Sequence, residues 1–108
     1  MPASTAPLFD FAELTRRAMG DESLRTELLS LFVAEIERLV RQAEDAPDAA
    51  IRDDRLRAIG ASARGVGATR LAQTAKLLEA QLTVQNLDLA PLRDAAAETL
   101  AYLRQAGA

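Results

Sequence analysis

Arg57 to Ala68, RAIGASARGVGA, reads as a helix that runs into a glycine-rich turn near the middle of the chain. Leu56, Ile59, Ala63 and Val66 recur at spacings of three and four, so they line one stripe of that helix and predict its buried side. Arg57, Ala61 and Arg64 fall on a second stripe, small in its middle and cationic at both ends. Together with the neighbouring Gly60, this stripe would admit a partner's backbone between guanidinium groups. Arg57, Gly60, Ala61 and Arg64 are therefore the candidate partner-binding residues.

Moving towards the N-terminus, Pro47 breaks a preceding helix and Asp48 is placed to cap the central one, which should carry Ile51, Leu56, Ile59 and Ala63 inward until Gly65 and Gly67 end it. The helix before it begins at Gly20 or Asp21 and reaches about Asp45. Its stripe of Leu24, Leu28, Phe32, Ile36 and Leu39, flanked by Leu29, Val33 and Val40, is wide enough to face two neighbours. A short first helix is expected from Asp10 to about Gly20, with Asp10 and Glu13 as a capping box and Phe9 stapled onto Leu14. Residues 1–8, small and proline-containing, read as an unstructured tail, and residues 9–108 as a single domain. On the other side, Leu71, Ala75, Leu78 and Leu82 predict a fourth helix closing near Gln85 and Asn86. A fifth, capped by Asp88 with Pro91 in its first turn, should bury Leu92, Ala96 and Leu103. Short connections favour antiparallel neighbours, so the predicted fold is all-α: an up-and-down four-helix bundle with a short extra N-terminal helix.

Composition agrees with packed helices. The 108 residues are 49% hydrophobic with only four aromatic side chains, so leucine, alanine, valine and isoleucine must build the core. No apolar run is long enough to cross a bilayer and residues 1–7 lack the pattern of a signal peptide, which makes a cytoplasmic protein with no membrane partner the expectation. The chain has neither cysteine nor histidine, which removes thiolate sites, the commonest metal ligand and the usual general base. No cofactor or metal is implied. The net charge of -3 conceals a local excess: between Ile51 and Lys76 six basic residues stand against two acidic ones, leaving +4 there and -7 elsewhere. A small cationic patch on an acidic chain points to an acidic protein partner; nucleic acid would call for a broader positive field and exposed aromatics.

From about Phe9 to Leu103 the chain resembles the histidine-containing phosphotransfer (HPt) domains, whose central helix carries a motif close to HTLKGSARNIGA. Ile59 stands for the motif's leucine, Ser62, Ala63 and Arg64 match it, Val66 is a like-for-like change, and Gly67 and Ala68 match again. The same register sets Arg57 where the family has its phosphorylated histidine, Gly60 at its lysine and Ala61 at its glycine. The resemblance implies a helical bundle that docks receiver domains or histidine kinases of two-component signalling. Arginine cannot relay the phosphoryl group, because its guanidinium stays protonated and only donates hydrogen bonds. The expectation is thus a monomeric protein that binds a receiver or a kinase without phosphotransfer, as competitor, scaffold or regulator, and is not an enzyme. The alternative is a structural or oligomerising bundle. Arg57, taken as a solvated helix residue, should be replaceable at a cost below about 0.5 kcal/mol.

Overall fold

The computed structural model describes residues 6–81 and 87–105, and among them are five helices and no strand. They are α1 (Phe11–Arg17), α2 (Glu22–Glu44), α3 (Ala49–Val66), α4 (Thr69–Glu79) and α5 (Ala90–Gln105). Each of the first three opens on an aspartate whose side chain accepts from a free amide of the first turn: Asp10 from Glu13 N (3.2 Å), Asp21 from Leu24 N (3.1 Å) and Asp48 from Ile51 N (2.9 Å). Asp88 accepts from Ala90 N at 2.9 Å at the start of α5. No side chain caps α4, which begins at Ala68.

The turn between α3 and α4 is set by one glycine. Gly67 adopts a left-handed conformation (φ 87°), and Ala68 N donates to Ala63 O at 2.9 Å, the long bond that closes a helix with a reversed last residue. The expected stop at Gly65 does not occur, since α3 continues through Val66. Gly67 also meets α1: its carbonyl accepts from Asp10 N at 2.7 Å, and a Cβ at this position would collide with the Asp10 carbonyl. Only glycine satisfies both the backbone angle and the close approach.

Helix α2 packs on α3, α3 on α4, α4 on α5 and α5 back on α2, while α1 rests on α2 and α3. Neither diagonal pair, α2 with α4 or α3 with α5, comes into close contact among the described residues. The centre of this ring is aliphatic, with Leu14, Ile36, Leu56, Ile59, Leu71, Leu78, Leu92 and Leu103 each 0% exposed. Phe9, Phe11 and Tyr102 form an aromatic cluster with ring centroids 5.0 to 5.8 Å apart, joining the segment before α1 to α5. Thr74 and Thr99 are buried without loss, because each hydroxyl donates to a carbonyl one turn back, Arg70 O and Ala95 O, at 2.8 Å.

Three details depart from the sequence reading. Ile51 sits in the first turn of α3, outward of the stripe that Leu56 begins, and remains 37% exposed instead of entering the core. Helix α4 ends at Glu79; Leu82, Gln85 and Asn86, which were expected to complete it, lie outside the described residues. Of the stretch assigned to an unstructured tail, residues 6–8 are described, and Ala6 and Pro7 are fastened to the start of α4: the Thr69 hydroxyl donates to Pro7 O, and Arg70 Nε donates to Ala6 O at 3.1 Å. The rest of that tail lies outside the described residues.

Candidate partner-docking face

Arg57, Ala61 and Arg64 stand exposed along the outward side of α3, because Leu56, Ile59, Ala63 and Val66 turn the opposite side into the core. Gly60 is placed differently. It is buried at the seam between α3 and α4, where a Cβ would lie 3.8 Å from Ala75 Cβ and 3.3 Å from Arg64 Nη1. The missing side chain is therefore occupied from within the molecule: it leaves a saddle over which the Arg64 guanidinium folds back along its own helix. A partner's loop does not find open space at Gly60, whose bare backbone serves close packing of α3 on α4.

Arg57 is engaged from two sides. Its Nη2 lies 3.0 Å from Asp53 Oδ2 one turn back on α3, and its Nε lies 3.5 Å from Glu79 Oε1 across the seam on α4. The guanidinium is well exposed at 67%, but the two carboxylates are at 17% and 24%. Asp53 Oδ1 is buried with no hydrogen-bond partner, so its carboxylate depends on Arg57 for compensation. Arg57 is thus an ion-paired cation and not a freely solvated one, and of its two acids Asp53 lies within the stretch from Ile51 to Lys76. Glu79, three residues beyond that run, supplies the second acid through the α3–α4 hairpin.

Arg64 and Lys76 differ from Arg57 in this respect. Both are exposed, and among the described residues neither forms an ion pair, which is true also of exposed Arg38 and Arg41 on α2, whereas Arg16, Arg17, Arg25, Arg55, Arg70, Arg93 and Arg104 each have a carboxylate within 4 Å. Lys76 follows Ala75, the residue opposite Gly60, so the outward side of α4 carries a cation beside the Arg64 saddle. Lys76 was legible only as part of the basic run.

No family model, curated protein or solved structure matches the chain. The face on α3 and α4 is built of cations and small side chains. It offers guanidinium and ammonium donors around small residues, and along the described part of α3 and α4 it contains no imidazole or thiol. Among the described residues no group of three or more acidic, histidine or cysteine side chains converges to hold a metal ion. No helix among the described residues is long and apolar enough to cross a membrane.

A shallow groove of about 270 Å³ runs between α2 and α5, lined by Ile36, Val40, Ala96 and Leu100 with Glu37, Arg41 and Arg93 at its rim. It exists because alanines on α5 oppose branched side chains on α2. Cavities that enclose small molecules generally measure about 300–1,000 Å³. This one is below that range; Ile36, Val40, Ala96 and Leu100 are at most 8% exposed, and of its apolar lining only Ala97 is exposed.

Proposed function

We propose that the chain is an HPt-like adaptor that docks a receiver domain or a histidine kinase through the outward side of α3 and α4 and does not carry the phosphoryl group. The observation that supports this reading is an exposed arginine, held by Asp53 and Glu79, at the α3 position where the resemblance expects an imidazole, in a chain without histidine. A guanidinium is a donor only and has no lone pair to attack phosphorus at neutral pH. Charge-assisted hydrogen bonds to acids around a receiver's phosphorylation site are the interaction left to such a surface. The ring of α2 to α5 is read in the same proposal as an up-and-down antiparallel four-helix bundle with α1 across one end, in a cytoplasmic, monomeric protein.

The test is capture on the immobilised full chain from a cell extract, combined with incubation against a receiver bearing labelled aspartyl phosphate. The expected result is recovery of a receiver or histidine kinase and no label retained on the chain. Recovery of neither protein class, or stable label on this chain, overturns the proposal. The rival reading, an oligomerising bundle, draws support from Leu31, which stands 62% exposed on the long helix α2. Light scattering separates the two: a dimer that covers the Arg57 side of α3 excludes receiver docking there.

A further inference from the structure

We infer that Arg64 and Lys76, and not Arg57, are the side chains that meet the acids of an incoming partner, while Arg57 serves as the tie between α3 and α4. The inference rests on the docking reading above and names the residues that carry it. It follows from the distribution of charge along one face. At the end where Glu79 meets α3, Arg57 is matched by two carboxylates at 3.0 and 3.5 Å, so that cluster carries a net charge of about -1 before any partner arrives. An approaching carboxylate would meet repulsion there, and could reach the guanidinium only by displacing Glu79 or Asp53. Displacing Asp53 would leave a largely buried acid without its cation.

About one turn away the situation reverses. Arg64 and Lys76 are exposed and form no ion pair among the described residues, so they add about +2 to the same pair of helices, the Arg64 guanidinium over Gly60 and Lys76 three residues before Glu79. Gly60 adds preorganisation, because the Arg64 guanidinium lies back over its bare backbone with Nη1 3.3 Å from where a Cβ would stand. A donor already laid against the helix loses less side-chain freedom on binding than one that extends into water. Exposed Ala61 leaves the approach between the two ends low. The face is therefore polar along its length. It fits a protein surface whose acidic cluster faces Arg64 and Lys76, and its negative end sets the orientation in which that surface docks.

The experiment uses the full chain and a hexa-aspartate peptide as the acidic probe, followed by NMR of the arginine Nε–Hε and lysine side-chain resonances at low salt. The expected perturbations centre on Arg64 and Lys76 and leave Arg57 unchanged. Substituting Arg64→Gln and Lys76→Gln together should weaken the peptide about tenfold with the backbone spectrum preserved, because neither side chain holds an internal ion pair. Perturbations centred on Arg57 or on α2, or no binding at millimolar peptide, overturn the inference. Capture of a receiver or kinase is a separate readout. Loss of capture with a normal peptide result defeats the docking reading alone, and capture lost by Arg57→Gln but kept by the double variant defeats the assignment of residues alone.

Discussion

Gly60 and Gly67, both in the stretch that decides the fold, respond oppositely to the same added methyl. At Gly60 a Cβ meets the flexible end of Arg64 at 3.3 Å and makes an ordinary contact with Ala75 at 3.8 Å, within regular helix. Gly60→Ala should stabilise the fold by roughly 0.5–1 kcal/mol, seen as a higher thermal midpoint, while shifting the Arg64 guanidinium. At Gly67 the backbone is left-handed and the Asp10 carbonyl occupies the space, so Gly67→Ala should cost at least about 2 kcal/mol by urea titration. Arg57→Ala removes the partner of Asp53 and the link to Glu79. Its expected cost is about 1–2 kcal/mol, larger than an isolated surface ion pair contributes, because one oxygen of Asp53 is buried without another donor. A loss under about 0.5 kcal/mol would make Arg57 an ordinary solvated helix residue. The periodicity of Leu56, Ile59, Ala63 and Val66 was enough to turn Arg57, Ala61 and Arg64 outward. It could not reveal Glu79 beside Arg57, because that contact is made by a hairpin and not by helical spacing.

At the scale of elements, the helix starts with a capping residue were the most legible. Asp10, Asp48 and Asp88 each satisfy amides that a helix N-terminus leaves free, a requirement local enough to be visible in a few letters. Asp48→Ala should cost about 1 kcal/mol, measured by chemical denaturation, with α3 remaining helical beyond its first turn. Helix α4 has no such letter at its start. Its entry is fixed by the Gly67 turn and by Thr69 and Arg70, which reach back to carbonyls more than sixty residues earlier in the chain. These bonds are non-local, so the mooring of Ala6 and Pro7 could not be read from propensity. The exposure of Ile51 follows from its angle on α3, since five residues before Leu56 it falls off the buried stripe.

For the whole molecule, the N-terminal strap and the ring of helices act on one another. Removing residues 1–7 would delete two long-range hydrogen bonds to α4 and should lower stability by about 1–3 kcal/mol, read as a fall in the thermal midpoint with helicity nearly unchanged at low temperature. The fold itself is elongated, 43 × 25 × 21 Å. The aromatic cluster of Phe9, Phe11 and Tyr102 carries a practical consequence of its own. Tyr102 is the single tyrosine and the chain has no tryptophan, so its ultraviolet emission arises from one known place. That fluorophore reports when the segment ahead of α1 peels away from α5, and can distinguish unfastening of this clasp from collapse of the ring.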